Sequence, residues 1–253
     1  MRNPRILVLI PTLNENPTET ILSITRQTMK VSKIILIVGS QPLFNKLLKT
    51  TITSFANILY FRPCMEEPLG LRVTRALNYA LSSVSIKEYD YILKVDADVL
   101  LPKNFIEENL KVNVDIVGGS GRAMLIKSQT FLKVFKGRFP EVASDDTFLN
   151  LCTMSKGGKV ANWSVPPISL KISRKRHSWR YYFYLGIERY KLGYEPIHII
   201  ERFRAYKLMN CFLLFGYVTA LLKRLGKYEF ADWVFRTQLK RLFQKKIKIW
   251  KTL

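Results

Sequence analysis

Residues 91–102 read YILKVDADVLLP, an apolar run that stops at two aspartates separated by one alanine. Residues 91–95 have the composition of a buried strand. Side chains alternate along an extended chain, so Asp96 and Asp98 point the same way and offer two carboxylates to one ligand. Hard oxygen ligands of this kind suit Mg²⁺ or Mn²⁺, which in turn would hold a diphosphate. A turn in which the aspartates accept backbone N–H groups is the structural alternative.

The same strand-like composition occurs three times earlier in the chain, at residues 5–10, 33–38 and 57–61. Helix-like stretches separate these runs, at residues 18–29, 43–54 and 71–83. This alternation predicts an α/β fold with a largely parallel central sheet. Ligands of such sheets bind beyond the carboxyl ends of the strands, which is where Asp96 and Asp98 stand.

Two later segments continue the pattern. Residues 115–126, DIVGGSGRAMLI, are predicted as a further strand with a glycine-rich link. Asp145 and Asp146 precede a helix predicted over residues 147–154, and one of them is expected to cap it.

The charge is strongly positive and unevenly placed. The 253 residues include 41 Lys and Arg against 19 Asp and Glu, a net +22, which attracts nucleic acid, anionic lipid or phosphorylated substrates. From Lys171 onward there are 20 basic and 5 acidic residues, so this third contributes +15. The basic character therefore belongs mainly to the C-terminal part of the chain.

The cysteines and the N-terminus bear on the compartment. Cys64, Cys152 and Cys211 form no CxxC pair, so we predict reduced core thiols in a reducing, cytoplasmic setting. The apolar run at residues 6–10 is too short for a signal peptide and lacks a cleavage site, and it is interpreted as the first strand.

The last 48 residues combine an apolar and a cationic segment. Residues 211–222 are apolar but too few to cross a bilayer, which needs about 20 as a helix. Residues 233–250 place apolar side chains at helical spacing with Lys and Arg between them, which is typical of a helix lying in a membrane interface. Packing of both segments on the catalytic domain is the alternative.

Three motifs, VLIPTLNEN at residues 8–16, VDADV at 95–99 and SDDTF at 144–148, occur in this order. Together they resemble the family 2 glycosyltransferases, which have the GT-A fold, over about the first 165 residues. The resemblance implies an inverting transferase. Pro11, Thr12, Asn14 and Glu15 match the family's loop that contacts the nucleotide of a sugar-nucleotide donor.

The resemblance also implies roles for the aspartates. Asp96 and Asp98 match the family's DxD motif, whose divalent metal bridges protein and diphosphate. Asp145 and Asp146 match its ED motif, in which the second acid deprotonates the acceptor hydroxyl. This favours Asp146 as the base, with Asp145 as the alternative and helix capping as the structural interpretation.

Several other positions are weaker matches. No acid follows the second strand, where the family usually has one and this chain has Val38-Gly39-Ser40, so either a UDP- or a GDP-sugar is expected. Arg72 and Arg75, in LGLRVTRALNYAL, are candidates for phosphate contact, with solvated helix charges as the alternative.

The segment RKRHSWR, residues 174–180, resembles an arginine–tryptophan motif on the acceptor or diphosphate side of some family members. It makes Arg176, His177, Trp179 and Arg180 candidates for that side. His177 is interpreted as a surface histidine rather than a metal ligand.

The sequence thus predicts a GT-A domain at residues 1–165, a basic and aromatic acceptor-side segment at 166–205 and amphipathic helices at 206–253. The predicted protein is a metal-dependent glycosyltransferase, peripheral on the cytoplasmic face of a membrane, with a lipid-linked or glycan acceptor and no nucleic-acid partner. Rivals are a sugar-phosphate nucleotidyltransferase, disfavoured because IPTLNEN lacks a glycine-rich phosphate loop, and a non-catalytic protein that binds membrane or nucleic acid.

Overall fold

The computed structural model describes residues 3–118, 121–170, 178–197 and 209–250, with side chains given for 211–241 in the last range. The chain divides into two compact units, Met1–Arg174 and Lys175–Leu253. Each unit is considered by itself.

The first unit is built on a seven-stranded sheet with strand order β3-β2-β1-β4-β7-β6-β8. The strands are β1 Ile6–Thr12, β2 Lys33–Val38, β3 Asn57–Tyr60, β4 Tyr91–Val95, β6 Ile116–Val117, β7 Ala123–Lys127 and β8 Val160–Ala161. The first four run parallel, β7 is antiparallel to β4, and β6 is antiparallel to β7 and parallel to β8. The predicted α/β class with a mostly parallel sheet is confirmed.

Helices cover both faces of this sheet. They are α1 Thr18–Thr25, α2 Gln41–Leu47, α3 Leu69–Leu81, α4 Phe105–Lys111, α5 Ser128–Phe135 and α6 Asp145–Ser155, with 3-10 turns at Thr51–Ser54 and Ile86–Glu88. In β1, Ile6, Val8 and Ile10 pack with α1, α2 and α4, whereas Leu7 and Leu9 pack with α3, α5 and α6. Period-two alternation in a strand buried on both faces produces these two cores. A separate antiparallel pair, β5 Val99–Leu100 with β9 Ile168–Ser169, follows the DxD motif.

The structure moves several predicted boundaries. The strand β1 extends through Pro11 and Thr12, which pair with Ile37 and Val38 of β2. The helix α1 ends at Thr25 rather than at residue 29 because the backbone N–H of Thr28 donates to the carbonyl of Lys103 at 2.9 Å instead of continuing the helix.

The predicted single strand at residues 115–126 is two antiparallel strands, β6 and β7. Gly118 has a φ of +112°, a conformation that favours glycine, at the end of β6. The chain can therefore leave β6 and return along it as β7.

The second unit is helical over its described residues. It contains α7 Trp179–Lys191, α8 Met209–Leu222 and α9 Ala231–Trp250. Tyr190, Leu213, Tyr217 and Ala220 form its buried core. Among the described helices, none combines the length and the apolar composition needed to cross a bilayer.

All three cysteines are free. Cys152 is buried, as predicted for a core thiol, but Cys64 and Cys211 are exposed, so the prediction is wrong for these two. Cys64 lies in the loop after β3, and Cys211 lies on the outer side of α8.

Candidate active site

The DxD motif lies at the carboxyl end of β4, in the middle of the sheet, and three backbone contacts hold it there. The Asp96 N–H donates to the carbonyl of Arg122 at 2.9 Å, and the buried Thr20 hydroxyl of α1 donates to the carbonyl of Ala97 at 2.7 Å. The carbonyl of Asp98 accepts the N–H of Leu170 at 2.8 Å, which extends the β5–β9 pair. The two carboxylates are therefore presented by a fixed backbone and are half-buried.

A buried lysine lies directly behind the motif. Lys94 precedes Asp96 by two residues, is 3% exposed, and projects to the face that carries α6. Its Nζ donates to Oδ2 of Asp145 at 2.8 Å. Burial by itself lowers the pKa of Lys94, but the attraction of Asp145, then of Asp96, overcomes this and raises it above the ordinary value. Lys94 is therefore cationic and links the end of β4 to the start of α6.

The acid pair begins α6, and its two members have different surroundings. Asp145 is buried and paired with Lys94. Asp146 is half-buried, and its Oδ2 accepts the N–H of Gly121 at 3.0 Å while its Oδ1 accepts the N–H of Thr147 at 2.7 Å. The Thr147 hydroxyl also donates to Oδ1 at 3.4 Å, whereas Oδ2 accepts one hydrogen bond and retains the capacity to accept another.

The capping interpretation of the acid pair is wrong. Ser144 is the N-cap residue of α6, its side chain makes no capping hydrogen bond, and both aspartates lie inside the first helical turn. Negative charge there is favourable because it faces the positive end of the helix dipole.

The carboxylates perturb one another. Burial raises the pKa of Asp96 to about 7, opposed by the cationic Lys94 and reinforced by Asp145, Asp98 and Asp146. Asp145, Asp96 and Asp146 share the field of Lys94, and Asp98 adds its charge beside Asp96, so negative charge is in excess in a partly buried place. This is the electrostatic environment that favours a divalent cation.

The residues present fit a divalent metal of the Mg²⁺ or Mn²⁺ type. No group of three or more His, Cys, Asp or Glu side chains arranged to hold a metal occurs in the part of the chain that the structure describes. Mg²⁺ in nucleotide sites is nevertheless commonly held by one or two carboxylates together with substrate phosphates and water. Asp96 and Asp98 would supply those carboxylates.

The predicted donor loop follows β1 at the same edge of the sheet. The Thr12 hydroxyl donates to the carbonyl of Glu15 at 2.8 Å, and the Asn14 N–H donates to the Glu15 carboxylate at 3.4 Å, so the loop folds back on itself. Gly39, in the segment Val38-Gly39-Ser40 that follows β2, lies against Leu13 of the loop. A Cβ at this glycine would come within 2.9 Å of Leu13 Cδ1, so a side chain there would require the Leu13 side chain to shift.

The two arginines of α3 differ. Arg75 forms ion pairs with Glu67 and with Glu141, the latter at 3.0 Å, so its charge is already matched. Arg72 donates to Met65 Sδ at 3.2 Å, and its Nε is buried with no hydrogen-bond partner among the described residues. Of the pair, Arg72 is the better placed to receive a phosphate.

The fold has relatives among solved structures. The mannosyltransferase PcManGT from Pyrobaculum calidifontis, in complex with GDP-Man and Mn²⁺, has a TM-score of 0.55 and 18% identity and covers 100% of this chain and 84% of its own. TarS of S. aureus, residues 1–349 in complex with UDP, has a TM-score of 0.50 and 15% identity and covers 82% of this chain and 74% of its own.

This is the GT-A fold. At these identities the likeness establishes the fold alone, and the resemblance to family 2 glycosyltransferases is confirmed at that level. No protein-family model and no curated protein sequence matches the chain.

Within the GT-A unit, the structure brings Asp96, Asp145 and Asp146 together around Lys94, with Asp98 acting on Asp96. Trp179 and Arg180 begin α7 in the second unit, where the Arg180 guanidinium lies 5.5 Å from the centre of the Trp179 ring. Arg176 and His177 lie outside the described residues. The acceptor-side role of all four stays a prediction.

Sequence reasoning missed Lys94. Its signal was present, since a lysine stands in the otherwise apolar run YILKV, two residues before Asp96 and therefore on the same side of the strand. Its partner Asp145 is 51 residues away in the chain, and only the packing of α6 on the sheet identifies it.

Proposed function

We propose that this protein is an inverting glycosyltransferase that transfers a sugar from a UDP- or GDP-sugar to an acceptor hydroxyl. The observation that carries the proposal is the buried ion pair of Lys94 with Asp145, with the carboxylates of Asp96, Asp98 and Asp146 nearby, at the carboxyl edge of a GT-A sheet. The likeness in fold to PcManGT, whose structure contains GDP-Man and Mn²⁺, supports it.

In the proposed reaction, Asp146 is the general base. The acceptor oxygen attacks the anomeric carbon, its proton passes to an oxygen of Asp146, and the bond to the diphosphate breaks with its electron pair leaving on the diphosphate. Attack from the face opposite the leaving group inverts the anomeric configuration. Asp145 is the weaker candidate for the base because its Oδ2 is already held by Lys94.

Asp96 and Asp98 would hold a divalent cation, which when bound supplies the positive charge that neutralises the leaving diphosphate. Arg72, with its unfilled donor, adds charge on the α3 side. The segment of Pro11, Thr12, Asn14 and Glu15 would bind the nucleotide. Lys94 keeps the base-bearing helix against the metal-binding strand.

The acceptor we propose is a lipid-linked or membrane-presented hydroxyl, with the protein peripheral on the cytoplasmic face of a membrane and no nucleic-acid partner. The +15 charge of residues 171–253 supports attraction to anionic lipid. The free cysteines, two of them exposed, suit a reducing compartment.

The deciding experiment is calorimetric titration of Mn²⁺ together with a panel of UDP- and GDP-sugars into the wild type and Asp98→Ala. We expect metal-dependent binding of one donor, lost in the variant. Proton NMR of the product formed from an α-linked donor should then show the β-anomer. Binding of no donor would refute the transferase proposal, and release of pyrophosphate from a nucleoside triphosphate would establish the nucleotidyltransferase rival.

A further inference from the structure

Two helices of the second unit are in backbone contact through glycine. A Cβ at Gly186 of α7 would lie 1.9 Å from the Leu213 carbonyl of α8, and one at Gly216 of α8 would lie 2.0 Å from the Phe183 carbonyl of α7. Each helix thus places a glycine where the other's backbone passes, an arrangement that small residues alone permit. Because neither helix can shift without losing both contacts, α7 and α8 form a rigid pair.

The outer side of this pair carries an apolar surface, which we call the α7–α8 stripe. Its rings pair across the two helices, with centroids 5.8 Å apart for Trp179 and Phe212 and 5.6 Å apart for Phe183 and Phe215. The stripe consists of Trp179, Phe183, Phe212, Phe215, Val218 and Leu222. Phe215 is 64% exposed and Leu222 is 77% exposed.

The stripe is continuous because its α8 members follow helical spacing. Phe215, Val218 and Leu222 are three and seven residues apart, which places them on one face. The opposite face of α8 is occupied, since Leu213, Tyr217 and Ala220 are buried in the unit's core. Soluble proteins rarely leave a contiguous apolar surface of this kind uncovered.

Cations border the stripe, and acids are missing from it. Arg180 lies against the ring of Trp179, and Lys223 and Arg224 follow Leu222 directly and are exposed. The sequence has no Asp or Glu between Glu201 and Glu229. Aromatic and aliphatic side chains flanked by Lys and Arg match the layered chemistry of a membrane interface, with acyl chains below and anionic headgroups above.

We propose that the α7–α8 stripe is the surface by which this protein inserts into the interfacial layer of an anionic membrane. This proposal rests on the proposed function, because the stripe would bring the transferase to a membrane-presented acceptor. A second copy of the chain is the less suitable occupant, because a two-fold contact would place Lys223 and Arg224 against a surface that has no carboxylate to pair with them.

The test uses the full chain with Phe215→Ser/Leu222→Ser, and Leu48→Ser/Phe55→Ser as a matched control at exposed apolar positions of the first unit. Each protein is sedimented with phosphatidylcholine–phosphatidylglycerol vesicles and with pure phosphatidylcholine vesicles. We expect the wild type and the control to bind the anionic vesicles, and the stripe variant to bind at least roughly tenfold more weakly. Equal binding by the stripe variant would overturn the proposal.

Two further measurements separate the outcomes. Trp179 fluorescence, in a chain whose other tryptophans are replaced by Phe, should be quenched by brominated phosphatidylcholine in anionic vesicles, and unchanged fluorescence would contradict insertion. Sedimentation velocity without lipid identifies the alternative, because a dimer that the stripe substitutions convert to a monomer would assign the surface to self-association and overturn the proposal.

Calorimetry of Mn²⁺ and donor keeps the two proposals distinguishable. Unchanged donor binding in a stripe variant that has lost vesicle binding supports both. Absence of donor binding in the wild type refutes the transferase and leaves the vesicle result to stand alone. The single substitution Leu222→Asn, at the most exposed position, serves as a second variant should the double variant unfold.

Discussion

In the first unit, Lys94 is buried against the carboxylate of Asp145, whereas in the second unit Glu188 is buried against the hydroxyl of Tyr228 at 2.8 Å. The charge of Lys94 is balanced by the opposite charge of Asp145, whereas the carboxylate of Glu188 accepts a hydrogen bond from the neutral hydroxyl of Tyr228. A full ion pair surrounded by further carboxylates creates a site with a strong field. The single carboxylate of Glu188, with one hydroxyl donor, joins α7 to the segment between α8 and α9.

The two units also differ in what they expose. The first unit presents half-buried carboxylates at the carboxyl end of β4, and the second unit presents an apolar stripe bordered by cations. The proposed chemistry and the proposed membrane attachment therefore belong to different units, and each proposal can be tested without disturbing the other.

The largest effect is expected at the acid pair of the first unit. Asp146→Asn should lower kcat by about 10²–10⁴-fold, because the acceptor proton loses its recipient, while metal-dependent donor binding persists. Steady-state kinetics and calorimetry on the same preparation test this. An Asp146→Asn enzyme that retains its rate, next to an inactive but folded Asp145→Asn enzyme, would reverse the two roles.

The next effect concerns the buried ion pair. Lys94→Met leaves Asp145 buried without its cation and should lower the free energy of unfolding by about 3–5 kcal/mol. Lys94→Met/Asp145→Leu removes both charges and should recover most of that loss. Urea denaturation of the single and double variants measures the coupling, and additive losses would show that the pair does not act as a unit.

A pH dependence follows from Asp96, whose pKa burial raises to about 7. Below pH 7 a metal must displace its proton, so Mn²⁺ affinity should rise roughly tenfold per pH unit up to about 7 and then level off. In the absence of metal, the raised pKa of Asp96 in the folded state stabilises the fold at low pH. This contribution to the free energy of unfolding is lost as the pH rises from about 4 through 7. Asp96→Asn should abolish the pH dependence of both Mn²⁺ affinity and stability. An Mn²⁺ affinity that stays constant over about three pH units, from pH 5 to 8, would contradict the raised pKa of Asp96.

The smallest effect is expected in the second unit. Tyr228→Phe removes the hydroxyl donor of Glu188 and should lower the free energy of unfolding by about 1–3 kcal/mol. Burial already raises the pKa of Glu188, and loss of this hydrogen bond raises it further. Thermal denaturation at neutral and acidic pH measures the change, which should shrink at acidic pH. Tyr184→Phe, at an exposed ring of the same unit, is the control.

The sequence predicted much of the fold because strands buried on both faces appear in it as continuous apolar runs. The bounds predicted for β2 and β4 agree with the structure at both ends, since each is an apolar run that stops at glycine or aspartate. Helix ends were less accurate. The helix α1 stops four residues early because Thr28 finds a backbone partner at Lys103, a contact that local propensity cannot reveal.

The site was predictable in part for the same reason. Asp96 and Asp98 follow a strand, and parallel strands present their ends at one edge. The family resemblance favoured Asp146 over Asp145, but no local feature of the two adjacent aspartates shows which one is buried. The hydrogen bond from Lys94 of β4 identifies Asp145 as the buried partner, and Asp146 stays half-buried.

By itself, the sequence determined the α/β class, the first four strands of the sheet and the position of Asp96 and Asp98 at the end of one of them, because alternation and residue type are local properties. The tertiary structure decided which carboxylate Lys94 binds, that residues 115–126 turn back as two strands, and that two glycines bring α7 and α8 into contact. These depend on residues distant in the chain meeting in space, where an atom's partner is fixed by packing rather than by its neighbours in sequence.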